Sequence, residues 1–246
     1  MRFRECLRQW LRSSNAAPVP DCAAIRYWER ADRCPVRDDL APVLFVHGYA
    51  GNDHIWTPLR AAFAEAGFGQ LIALRYNAFR ADIHQIADWL VEQTHRSMQA
   101  TGADGVHLIG HSMGGLVVRD AVQARGLGGF VATAVTIATP HVGTALARLV
   151  PGPAARQMRP GSDFLAELGN RPVPDGTRWV VIHGGADRVV PECTELFRTP
   201  SPTVVRLRLD AAGHGSIARH PAVVAGIVTE LLKSEDAAMQ RFSLAA

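Results

Sequence analysis

The stretch Val106-His107-Leu108-Ile109-Gly110-His111-Ser112-Met113-Gly114-Gly115-Leu116-Val117-Val118 decides the architecture. Its first four residues form an apolar run of buried-strand length, and Leu116 to Val122 reads as a helix. Between the two lies Gly-x-Ser-x-Gly. A strand that reverses into a helix over so few residues forces Ser112 into a strained backbone conformation. It also needs glycine at 110 and 114, where a Cβ would collide across the turn. The five-residue pattern alone is common enough to arise by chance. The strand before it and the helix after it make it a specific sign of a nucleophile elbow, with the Ser112 hydroxyl held above the sheet.

Outward from this turn, Val43 to Val46, Leu71 to Leu74, Ala132 to Ala138, Trp179 to Ile182 and Val204 to Leu209 read as further strands. Most are continuous apolar runs, the pattern of strands buried on both faces of a parallel sheet. Ile83, Ile86, Ala87, Leu90, Val91 and Thr94 recur at helical spacing, and Val223 to Leu232 is also helical. Strand and helix in alternation predict an α/β sandwich with about six strands. The Pro-rich stretch 141–176 interrupts the alternation and is predicted to be a lid or cap insertion. Its Leu146, Leu149, Val150, Phe164, Leu165 and Leu168 either offer apolar surface to a substrate or close a small core of their own. The expected organisation is an N-terminal extension over 1–40, an α/β domain over 41–235 and a tail over 236–246.

A serine hydroxyl becomes a good nucleophile only when a base takes its proton and a carboxylate orients that base. Asp187, after the strand Trp179 to Ile182, and His214, in Gly213-His214-Gly215 after the next strand, supply both in the order serine, acid, histidine. Each is expected on a loop at the carboxyl edge of the sheet, where open α/β folds bind ligands. The plainer readings are a turn or helix-cap role for Asp187 and a glycine-flanked surface loop for His214. Asp210 and His220 are the rival acid and base nearby. His47-Gly48-Tyr49-Ala50-Gly51 follows the first strand. The backbone N–H groups of Tyr49 and Met113 are the expected oxyanion donors, with His47 bracing the loop. A phosphate-binding turn is the alternative there, but neither G-x-G-x-x-G nor a P-loop is present.

Taken together, His47-Gly48, Gly110 to Gly115, Thr139-Pro-His-Val-Gly143, Gly184 to Asp187 and Gly213-His214 resemble the α/β-hydrolase superfamily, and more closely its bacterial lipases and esterases. The likeness covers about Pro42 to Leu232. It implies an α/β-hydrolase fold shortened at its amino end, and ester hydrolysis through an acyl-enzyme by Ser112, Asp187 and His214. Acyl transfer or lipid deacylation would use the same residues, and a fold kept for binding alone is the non-enzymatic alternative. Substrates are expected to be small-molecule or lipid esters.

Composition agrees with one globular domain. The chain has 246 residues, 48% hydrophobic and 20% charged, with a net charge of +3. Its basic residues are scattered among acidic ones, which gives no block that would track a nucleic acid. No apolar run approaches the roughly 18 to 20 residues of a spanning helix. The four cysteines, Cys6, Cys22, Cys34 and Cys193, have no metal-ligand spacing and read as free thiols. Neither metal nor organic cofactor is expected, and no obligate protein partner is inferred. Phe3, Leu7, Trp10 and Leu11 would share one helix face, fit to dock on the body or touch a membrane surface. Arg2, Arg4, Arg8 and Arg12 precede no apolar run of the signal-peptide kind, so a cytoplasmic protein is expected.

Overall fold

A computed structural model of the chain describes residues 24–27, 37, 39–190 and 204–245. The four cysteines and the expected helix over Phe3 to Leu11 lie outside these residues. Strands β1 (Ala24–Tyr27), β2 (Val43–Val46), β3 (Leu71–Arg75), β4 (Val106–His111), β5 (Val131–Ile137), β6 (Arg178–Gly184) and β7 (Val204–Leu209) alternate with six helices. These are α1 (Thr57–Glu65), α2 (Ile83–Thr101), α3 (Met113–Ala124), α4 (Pro153–Gln157), α5 (Asp163–Asn170) and α6 (Pro221–Ala245). The strands form one sheet in the order β1-β3-β2-β4-β5-β6-β7. All neighbours are parallel except β1, which runs antiparallel to β3.

Strands β2 to β6 are buried on both faces, which explains why they read as largely apolar runs. Leu44, Val46, Leu108, Ala134 and Val181 point into a core with Ile86 and Leu90 of α2 and Leu116 of α3. Val43, Phe45, Ile109, Val135 and Val180 point the other way, to Phe63 of α1 and Ile227 and Leu231 of α6. Local signals fix the helix ends. Asp82 and Gln85 form a reciprocal capping box at the start of α2, and Gly102, with φ of 72°, ends it in the left-handed conformation.

Register brings the strand ends to a common edge. Val46 lies opposite Gly110, His111 opposite Ile137, Ile137 opposite Ile182 and Gly184 opposite Leu209. The segments that follow β2, β4, β6 and β7 therefore emerge side by side, and they carry Tyr49, Ser112, Asp187 and His214.

Two boundaries differ from expectation. The extension over 1–40 contributes β1, which adds an antiparallel seventh strand to the six parallel strands expected. Four residues with only Ile25 and Tyr27 as strand formers give too short a pattern to stand out. The tail over 236–246 is mostly helix, because α6 continues to Ala245. After Gly226 no glycine or proline interrupts it, and Ala, Leu, Met, Gln and Glu favour helix. Glu235, just before this continuation, accepts from His107 Nε2 at 2.6 Å and from the Ala41 N–H at 3.3 Å, which ties the helix to β4. No helix among the described residues is long and apolar enough to cross a membrane.

Candidate active site

Ser112 sits between β4 and α3 with φ of 55° and ψ of −125°, a conformation that L-residues rarely adopt. The surrounding structure holds it there. Its N–H still bonds the Ile137 carbonyl of β5 at 2.8 Å, and its carbonyl accepts from the Gly115 N–H at 3.0 Å. A Cβ on Gly110 would lie 2.5 Å from the Gly114 carbonyl oxygen, and one on Gly114 would lie 2.1 Å from that of Val46. The two glycines therefore let α3 return directly over the ends of β2 and β4.

The loop after β7 brings His214 to this turn. His214 Nε2 is 3.0 Å from Ser112 Oγ, and its Nδ1 is 2.8 Å from Asp187 Oδ2. A carboxylate can only accept, so Nδ1 carries the proton and Nε2 presents its lone pair to the serine hydroxyl. Asp187 Oδ1 accepts from the N–H groups of Val189 and Val190 at 2.8 and 2.9 Å. Burial alone would raise the Asp187 carboxyl. The hydrogen bonds from His214 and from these two amides outweigh burial and hold it below the usual carboxylate range. The arrangement can take a proton from Ser112 and stabilise the imidazolium that results.

The loop after β2 forms the opposite wall. A Cβ on Gly48 would be 3.0 Å from Ser112 Cβ, so this loop abuts the elbow and places the Tyr49 backbone beside it. Met113 opens α3, and N–H groups in a first helical turn have no partner within the helix. His47 braces the loop as expected. Its ring stacks on Tyr76 at 4.1 Å, Nδ1–H donates to the Gly48 carbonyl at 2.7 Å, and the Tyr76 hydroxyl donates to the His47 carbonyl. Burial lowers its pKa to about 4, so His47 is neutral and structural.

A family model described as alpha/beta hydrolase fold matches residues 41–158. A triacylglycerol lipase of Pseudarthrobacter phenanthrenivorans is 33% identical over 117 residues, which is 44% of this chain and 36% of that protein. A triacylglycerol lipase of Burkholderia plantarii is also 33% identical over 117 residues, 44% of this chain and 32% of its own. The match thus spans about a third of the length of these curated relatives. Among solved structures, mature Bacillus licheniformis lipase BlEst2 superposes with a TM-score of 0.69 at 17% identity, covering 85% of this chain and 98% of that one. Aspergillus fumigatus lipase B gives 0.65 at 16% identity, over 83% and 55%. The chain has the α/β-hydrolase fold of these structures.

Within this α/β-hydrolase fold the insertion over 141–176 divides in two. Its first part borders the site. Thr144 Oγ1 donates to the Val189 carbonyl at 2.5 Å beside Asp187, and the Tyr49 hydroxyl donates to the Pro151 carbonyl. Here Leu149 is 67% and Val142 53% exposed, while Leu146 is half-buried. The second part corrects one expectation. Val150, Phe164, Leu165 and Leu168 are buried in the core beside α2 and α3, with the Phe164 ring 5.1 Å from that of His84. Apolar spacing shows that a helix has a buried face but not what covers it.

Three polar residues of this fold were not singled out from sequence. His111 Nε2 is 3.0 Å from the His214 carbonyl oxygen. His141 joins Arg119 Nη1, at 3.4 Å, to Thr136 Oγ1, at 3.2 Å, beneath the loop after β5. Arg119 Nη2 also donates to the Leu168 carbonyl at 3.2 Å, so a buried cation fastens α5 to α3. A histidine or arginine within a motif or helix carries no mark of such long-range partners. Among the described residues no group of three or more His, Cys, Asp and Glu could hold a metal ion.

Proposed function

We propose that the chain is a serine carboxylester hydrolase acting through an acyl-enzyme. The observation that carries this reading is the unbroken hydrogen-bonded line from Ser112 Oγ through His214 to Asp187, at 3.0 and 2.8 Å. His214 Nε2 takes the hydroxyl proton as Ser112 Oγ attacks the ester carbonyl, and Asp187 holds the imidazole tautomer and offsets its charge. The N–H groups of Tyr49 and Met113 receive the oxyanion of the tetrahedral intermediate. The proton then passes to the leaving oxygen as its bond to carbon breaks, the alcohol departs, and Ser112 is left acylated. Water, deprotonated by His214, attacks the acyl carbonyl, and collapse of the second intermediate returns the serine hydroxyl and releases the acid. Every atom in this sequence comes from substrate, water and the three side chains, so no cofactor is required.

The family, and relatives named triacylglycerol lipase, support an ester as substrate. The exposed Leu149 and Val142, on the segment that Thr144 and Pro151 tie to the loops carrying Asp187 and Tyr49, support an acyl chain as the part recognised. Turnover of p-nitrophenyl esters by the purified chain tests the reading. Ser112→Ala is expected to lower kcat on the order of 10⁶-fold while the protein stays folded, as loss of a triad member does elsewhere. A fluorophosphonate should label the parent at Ser112 and leave the variant unlabelled. Substantial turnover by folded Ser112→Ala would remove Ser112 from the role. Product diverted from acid to a new ester by added alcohol would assign acyl transfer instead.

A further inference from the structure

His214 hangs on a loop that offers little to hold it. Its neighbours are glycines. A Cβ on Gly215 would meet nothing within 4 Å, and one on Gly213 would meet nothing closer than 3.8 Å. The loop is held at its base, where the buried Ala212 accepts from the Ala186 N–H at 3.2 Å, and the bonds nearer His214 are local. Ser216 Oγ both accepts from the Gly213 N–H and donates to the Gly213 carbonyl, at 3.2 and 3.1 Å, and lies exposed. The backbone of His214 itself meets the body of the protein through its carbonyl oxygen, 3.0 Å from His111 Nε2.

The chemistry of that contact is fixed. A carbonyl only accepts, so His111 carries a proton on Nε2, and burial disfavours a second one on Nδ1. Burial first, then the neighbouring His214, lowers its pKa to about 3. The ring is buried, packs edge-on to Trp56 at 6.4 Å and lies 5.0 Å from the His214 ring. Trp56 is fully buried against Phe45, so the tether is anchored in the core. His111 also directly precedes Ser112 in the chain. One side chain on the nucleophile's own strand therefore clamps the backbone of the base.

We infer that His111 is a positioning residue for the proposed reaction, which sets the distance between Ser112 Oγ and His214 Nε2 by tethering the His214 carbonyl. This rests on the hydrolase reading above. Asp187 fixes how the imidazole is rotated, and His111 fixes where its backbone stands. Misplacement by an ångström of a group that must pass a proton costs rate rather than substrate affinity, because the tether touches no substrate.

The test is a series at one position. His111→Gln keeps an N–H donor at nearly the same reach, His111→Asn keeps a donor one methylene short, and His111→Phe keeps the ring volume without a donor. Turnover of p-nitrophenyl butyrate and the rate of fluorophosphonate labelling at Ser112 are measured alongside the melting temperature. The expected order of kcat is parent, Gln, Asn, Phe. His111→Phe should be down about tenfold or more, with labelling slowed in parallel and KM within about twofold. Equal kcat and labelling across the folded variants overturns the inference, as does a His111→Gln variant that is folded and no better than Asn. The Gln and Asn comparison stands by itself if the Phe variant does not fold. A parent chain that takes no label overturns the hydrolase reading and this inference with it. A labelled parent matched by His111→Phe overturns the tether alone.

Discussion

Asp187 faces His214 across 2.8 Å from the neighbouring strand end, although Asp210 lies only four residues before that histidine in the chain. Asp210 is taken by Arg208, at 2.6 Å on the exposed surface. His220, the rival base, accepts from the Ala222 N–H at the start of α6. Asp187→Asn is therefore expected to cost on the order of 10⁴ in kcat, as loss of the orienting carboxylate does in other triads, and His214→Ala at least as much. Asp210→Asn and His220→Ala should stay within about tenfold of the parent, or ~1.4 kcal/mol. Steady-state kinetics on folded variants decides it, and a more damaging second pair would reverse the assignment.

The elbow makes a prediction about stability. With 2.1 Å between an added Cβ and the Val46 carbonyl oxygen, Gly114→Ala must push α3 off the ends of β2 and β4. Overpacking of this kind costs about 1–3 kcal/mol, and more where the obstacle is backbone. A urea midpoint equal to that of the parent would mean that the helix can shift freely. Gly102→Ala is the contrast. A Cβ there meets nothing within 4 Å, so its cost comes from φ of 72° alone and should be near 1 kcal/mol.

Leu149 and Phe164 separate the two halves of the insertion. Leu149→Asp changes an exposed side chain on the segment proposed to meet the acyl chain, so kcat/KM should fall for octanoate esters more than for acetate, with the melting temperature unchanged. Phe164→Asp places a carboxylate in a packed core next to His84 and should destabilise the fold by several kcal/mol, with both esters losing equally. Chain-length profiles and melting curves of the two variants check both halves at once. A chain-length effect from folded Phe164→Asp would restore α5 as acyl-binding surface.

Buried neutral histidines set the acid sensitivity. His47 is pushed down to about 4 and His111 to about 3 from an ordinary 6.5, in each case chiefly by burial. Below pH 6.5 the unfolded chain takes up protons that the folded chain refuses. Stability therefore falls as pH drops, by up to about 1.4 kcal/mol per pH unit for each such group, until the folded value is reached. Above pH 6.5 this contribution is flat. Urea unfolding between pH 7.5 and 5 should show the loss, with a shallower slope in His111→Gln. An unchanged slope in that variant would mean that His111 accepts a proton in the folded state.

Much of this architecture was legible from residue order alone, for one reason. Five strands buried on both faces leave largely apolar runs, and a turn as tight as Gly110 to Gly114 leaves a fixed residue pattern. The positions of Asp187 and His214 followed because loops after parallel strands share an edge. What escaped is what local pattern cannot encode. Strand β1 is short and pairs with residues some fifty positions away. Phe164 and Leu168 looked the same whether covered by substrate or by α3. The link from His111 to the His214 carbonyl spans 103 residues and needs the sheet register to exist.

Among the described residues β7 closes the sheet on its side, and its residues alternate between half-buried and exposed, whereas β4 is buried throughout. Ser112 thus follows a strand buried throughout, and the His214 proposed as its base follows one of the least sheltered. Sheet margins open locally at a smaller free energy than the centre. The proposed activity is for that reason expected to be less durable than the fold. On warming, ester turnover should disappear several degrees before the fluorescence of Trp56 and Trp179 reports exposure, and cooling should restore it without any refolding of the central strands.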